Sequence, residues 1–163
     1  MHLAHSRSLF FLAFIACALI MGGVFYLEYG VGLEPCPLCI VQRVFMIAFG
    51  LISLAAFLHA PGKIGWRIYS ALILLCALAG AGTAGRQVWL QTAPAQDPAS
   101  CLPGLGYLLQ TMPFTKVVSL LFDGTADCIE INWTLFGMSI PEWSLLAFAG
   151  LILLAAYQLL QRD

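Results

Sequence analysis

The feature that most limits what this chain can fold into is the spacing of its charges. No Asp, Glu, Lys or Arg occurs in the 20 residues between Arg7 and Glu28, the 19 between Arg43 and Lys63, the 18 between Arg67 and Arg86, or the 19 between Glu142 and Arg162. A helix rises about 1.5 Å per residue, so about 20 residues cross a hydrocarbon layer roughly 30 Å thick. Only 9% of the residues are charged, against about a quarter in soluble domains, so a water-soluble globule is excluded. A net charge of −1 gives no electrostatic footprint for nucleic acid. The reading is an all-α membrane protein, a four-transmembrane-helix bundle forming one membrane domain over residues 1–163. The spans fall at about 9–27, 41–60, 66–90 and 143–161, the second helix itself starting near Pro37. The basic start of the first span resembles a signal peptide, but its apolar run is too long and three more spans follow.

Orientation follows from the basic residues at the span ends. Four spans put both termini on one side with the turn near residues 60–66. That side carries Arg7, Lys63, Arg67 and Arg162 with Asp163 as its one acid. The other carries Arg43, Arg86 and Lys116 with seven acids, among them Glu28, Glu34 and Glu142. Both termini are expected in the cytoplasm, with outer loops at about 28–40 and 91–142. In the longer loop, residues 114–122 are apolar with one charge. That run is too short to cross, which predicts a short interfacial helix.

Where the first outer loop enters helix 2 the sequence reads Glu34-Pro35-Cys36-Pro37-Leu38-Cys39-Ile40-Val41-Gln42-Arg43. Two thiols at Cys-x-x-Cys spacing can close on each other, and so hold or release two electrons as a unit. Pro37 suits the first helical turn, where a missing N–H costs nothing. Cys36 is then the cap and Cys39 sits in the first turn. Positions 36, 39 and 43 fall on one helical stripe. Free backbone N–H groups, the helix dipole and a guanidinium all favour a thiolate there, and the stripe suits an electron-rich, polar-headed ligand. The plain alternative for Arg43 is an arginine reaching up to the headgroups. Arg86, near the outer end of helix 3, reads either as help in neutralising a ligand or as an interfacial anchor. The small-residue segment Gly80–Gly85 reads as a close helix contact, with a groove for a flat ligand head as the alternative.

The six cysteines divide by position. Cys17 and Cys76 lie mid-span and read as small packed hydrophobes. Cys36, Cys39, Cys101 and Cys128 all lie on the outer side, where two disulfides are the default. Proximity favours Cys36–Cys39 and Cys101–Cys128, although spacing does not fix connectivity. A Cys101–Cys128 bond reads equally as a structural staple, stabilising by roughly 3–4 kcal/mol on the chain-entropy model. A Cys36–Cys39 bond closes almost no loop, so electron transfer explains it better. A four-cysteine zinc site needs a short spacing in both halves, and only one half has it. No metal is expected.

Taken together, these features resemble the disulfide bond formation protein B (DsbB) family of quinone-coupled inner-membrane thiol oxidases. The resemblance covers nearly the whole chain: four spans, Cys-Pro-Leu-Cys-Ile-x-x-Arg at the start of helix 2, two cysteines in the second outer loop, and Leu135–Trp143 before helix 4. It implies a protein-disulfide oxidoreductase of the bacterial inner membrane with its redox loops in the periplasm. A reduced DsbA-type thiol oxidase would exchange with Cys101–Cys128, its thiolate attacking Cys101. Electrons would pass to Cys36–Cys39 and on to ubiquinone or menaquinone, with Cys39 beside the ring. Arg43 would hold the quinone ring and stabilise negative charge, while Arg86 is a cofactor-binding candidate from its position near the outer end of helix 3 alone. Gln42 stands where some members carry an acid, so the resemblance gives it no fixed role. Gln91 has no role assignable from it.

Two other readings compete. A relative of the vitamin K epoxide reductases would also pair a Cys-x-x-Cys with a quinone, but that family carries the motif late in its bundle. A tetraspan scaffold with two static disulfides would show no quinone dependence.

Overall fold

The structure, a computed structural model, describes residues 2–33, 35–92, 111–113, 115–116, 131 and 133–160. Four long helices dominate: α1 (His2–Phe25), α2 (Pro37–His59), α3 (Lys63–Thr92) and α4 (Ile140–Leu160). Each is long and apolar enough to cross a membrane. The chain is an all-α, multi-pass membrane protein with a four-helix bundle fold. Helix α3 outruns the expected 66–90 span by about one turn at its start. Lys63 and its neighbours stay helical there, because charged side chains reach back to water while the backbone keeps its ladder.

Local chemistry sets the helix ends. Cys36 is the cap of α2, with extended backbone (φ −68°, ψ 160°) and Pro37 in the first helical turn. At the other end Ala60 takes a left-handed conformation (φ 44°) just before Pro61-Gly62. Helix α1 widens into a single π-helical turn, Tyr26–Gly30, and releases the chain at Gly32, whose φ of 80° suits glycine.

Before α4 the chain makes a small hairpin not foreseen from the sequence: β1 (Thr134–Leu135) pairs antiparallel with β2 (Met138–Ser139). Its two-residue connection, Phe136-Gly137, has positive φ at both positions (54° and 79°), the geometry of a tight hairpin turn. Glu142 caps the hairpin by accepting from the Ser139 backbone N–H and Oγ. Ser139 Oγ also lies 3.0 Å from Gln91 Oε1, close to the end of α3.

Packing runs α1 on α2, α2 on α3, and α3 on α4, whereas α1 and α4 touch sparsely. Phe10, Phe49 and Phe148 are fully buried, while Leu19, Leu75 and Leu153 point outward, as lipid permits. Gly80 brings α3 against α4: a Cβ built there would lie 2.2 Å from the Phe148 ring. Gly80 therefore serves helix contact, with Phe148 filling the space that a side chain there would occupy, whereas a Cβ at Gly82 or Gly85 would meet nothing within 4 Å. Gly50 allows a similar approach of α2 to Cys17 on α1. The expected interfacial helix over residues 114–122 lies almost wholly outside the described residues.

Candidate redox site

The cap geometry of α2 brings its two cysteines together. Cys39 N–H donates to Cys36 Sγ at 3.4 Å, and the two sulfurs are 2.9 Å apart. A disulfide needs about 2.05 Å, so a shift of about an ångström closes the bond. The sulfurs are not equivalent. Cys36 is buried with Leu38 beneath Leu90 of α3, whereas Cys39 lines a cavity.

That cavity has a volume of about 550 Å³ and lies where α1 and α4 pack sparsely. Its walls are mostly apolar, from Ile20, Val24 and Leu27 on α1 to Ala147 and Phe148 on α4, with Met46 of α2 below. Trp133, Leu135 and Trp143 line it from the hairpin region. Its polar groups cluster near the cysteines: Cys39, Gln42, Arg43 and Glu28. Such a cavity suits a ligand with a flat polar head and an apolar body. The donor set fits a quinone, since Arg43 supplies N–H groups and Cys39 supplies sulfur on the same wall.

Arg43 Nη1 donates to Glu28 Oε2, and the guanidinium lies 5.8 Å from the Phe25 ring centroid. The π-helical turn puts Glu28 within reach, so α1 and α2 are joined across the cavity mouth by an ion pair. No local pattern pairs Glu28 with Arg43, because the contact is tertiary.

On the opposite side of the sulfurs stands Gln87 of α3. Its Nε2 lies 3.2 Å from Cys36 Sγ and 3.3 Å from Cys39 Sγ, and its Oε1 accepts from Gln42 Nε2 at 2.7 Å. Both glutamines are buried. Position 42, without a role in the sequence reading, is therefore part of the sulfur environment. The sequence signal for either residue is a carboxamide beside an arginine in a mostly apolar helix.

The structure brings Cys36, Cys39 and Arg43 into one site. Arg86 is elsewhere: its guanidinium lies 4.5 Å from the Trp89 ring centroid, and it is not among the cavity-lining residues. Cys101 and Cys128 lie outside the described residues. Among the described residues no group of His, Cys, Asp and Glu is arranged to hold a metal ion.

Comparison with known proteins gives a consistent result. The sequence model of the family described as Disulfide bond formation protein DsbB matches residues 6–158. The chain is 55% identical over 162 residues to Disulfide bond formation protein B 1 of Pseudomonas aeruginosa, covering 99% of each. It is 51% identical over 163 residues to Disulfide bond formation protein B of Stutzerimonas stutzeri, covering all of both chains. With the protein of that name from Hahella chejuensis the identity is 44% over 157 residues, 96% of this chain and 95% of the relative.

Proposed function

The chain belongs to the DsbB family, whose name marks it as a disulfide-forming oxidoreductase, and on that premise we propose that it oxidises a DsbA-type thiol protein and delivers the electrons to a membrane quinone. The observation that carries the reading is the unequal placement of the two sulfurs: Cys39 opens on the apolar cavity beside Arg43, and Cys36 does not.

The relay is a chain of thiol–disulfide exchanges, each breaking one S–S bond and forming another. The carrier's thiolate attacks Cys101 of the Cys101–Cys128 disulfide and expels Cys128. The carrier's second thiol then completes its own disulfide and releases Cys101. The Cys101/Cys128 dithiol next opens Cys36–Cys39 in the same way, leaving both electrons on that couple. The positive end of α2 favours negative charge on Cys39. Arg43 orients the ligand head and holds negative charge near it, at the expense of its contact with Glu28. The quinone, when bound, supplies the two-electron acceptor, ubiquinone and menaquinone both meeting the chemical requirement. Arg86 would act at most from a distance, by its charge.

We place the protein in the bacterial inner membrane as a single domain, with both termini cytoplasmic and the cysteine end of the bundle periplasmic. The bias of basic residues toward the termini supports that orientation. The test is reconstitution of the full chain with ubiquinone or menaquinone and a reduced DsbA-type protein, following quinone absorbance. Oxidation of the carrier coupled to quinone loss is expected. Carrier oxidation that persists in Cys39→Ser would refute the relay.

A further inference from the structure

Gln87 is a polar side chain in a mostly apolar helix, and it is only 3% exposed. A buried carboxamide is costly unless its hydrogen bonds are made. Here they are made in a directional way. Gln42 Nε2 donates to Gln87 Oε1 at 2.7 Å, which fixes that end of the amide as the acceptor. The other end, with two N–H bonds, then faces two sulfurs at 3.2 and 3.3 Å. Cys39 Sγ is also 3.6 Å from Gln87 Oε1, so a neutral thiol finds an acceptor on the same side chain. Gln87 is not among the cavity-lining residues, so its contact is with the sulfurs from behind.

From this geometry we infer that Gln87 is a catalytic hydrogen-bond donor to the Cys36–Cys39 couple and that Gln42 is the positioning residue that sets the polarity of its amide. The inference rests on the redox reading of that couple. Opening the Cys36–Cys39 disulfide with the Cys101/Cys128 dithiol breaks one S–S bond and forms another. It leaves two reduced sulfurs, at least one of them a thiolate until it gains a proton. A thiolate accepts hydrogen bonds far more strongly than a disulfide sulfur does. Two N–H groups already aimed at both sulfurs therefore stabilise the reduced couple over the oxidised one, without reorganisation at the moment of exchange. The donor also eases departure of whichever sulfur is expelled.

The test uses the full chain in lipid nanodiscs, comparing wild type with Gln87→Leu, Gln87→Met and Gln42→Leu. Two quantities are read: the pH midpoint for alkylation of Cys36 and Cys39, resolved by mass spectrometry, and the equilibrium of the couple with a dithiol buffer of known potential. Loss of the donor in either Gln87 variant is expected to raise the alkylation midpoint by about one pH unit. It should also shift the equilibrium about tenfold toward the disulfide, equivalent to about 30 mV. Gln42→Leu should move both in the same direction by less, and it decides the matter if neither Gln87 variant folds. Unchanged midpoints and equilibrium would overturn the assignment. Failure of wild type in the quinone assay would remove the proposed acceptor. The two sulfur readouts would then still support or overturn the Gln87 role by themselves.

Discussion

Two glutamines show how differently the ends of this bundle treat the same side chain. Gln87, at the cysteine end, spends its amide on Gln42 and the two sulfurs. Gln158, near the other end, is just as buried, yet neither its Oε1 nor its Nε2 has a hydrogen-bond partner among the described residues. Its backbone carbonyl is used, accepting from Trp66 Nε1 at 2.9 Å, and Trp66 in turn packs on Phe10 with ring centroids 4.4 Å apart. The hydroxyl of Ser70, also fully buried, is likewise unpartnered. A buried polar group therefore does not by itself mark a functional site in a membrane bundle. What separates the two ends is whether the polar atoms converge on something reactive.

The sharpest way to break this contrast is Cys39→Ser. It should reduce quinone-coupled oxidation of the carrier to background, measured as quinone absorbance in nanodiscs, while the far end of the bundle is untouched. Next in size is Arg43→Met. Removing a charged donor from the cavity and leaving Glu28 without its cation should weaken quinone coupling by roughly tenfold to a hundredfold, read as a rise in the quinone KM. Gly80→Ala probes the boundary between the ends, because the added Cβ would meet the Phe148 ring. It should destabilise the bundle by about 1–3 kcal/mol, seen as a lower thermal midpoint in detergent, and Phe148→Leu in the same chain should recover part of the loss. The smallest change is expected at the far end. Gln158→Leu should leave turnover unaltered and be neutral or stabilising by about 1 kcal/mol, since it removes a buried amide that has no partner.

Much of the architecture is legible along the chain because membranes impose simple rules. Four charge-free runs give four helices, and the Cys36-Pro37 pair gives the start of α2, since both depend only on neighbouring residues. What the sequence conceals are contacts between residues far apart in the chain. Gln42 meets Gln87 across 45 positions and Arg43 meets Glu28 across 15, and no local pattern encodes either pairing. The π-helical turn that presents Glu28 is equally hidden, because Tyr26–Gly30 differs from an ordinary helix end by one extra residue in the ladder. The hairpin could have been suspected from Gly137, but the preceding Phe136 is an unusual residue for a left-handed position. For Arg86 the sequence left two readings open, ligand neutralisation and interfacial anchor, and depth in the helix could not show that its guanidinium lies over Trp89.

The contact between Gln87 and the sulfurs also has a consequence for biogenesis. Both cysteines are carried by the second helix, but the amide that faces them belongs to the third. A nascent chain halted after Gly62 would hold the thiols at a capped helix end with neither the amide nor the wall that α3 provides. Their full surroundings exist only once α3 has inserted and docked, so the chemistry of the couple doubles as a record that assembly is complete.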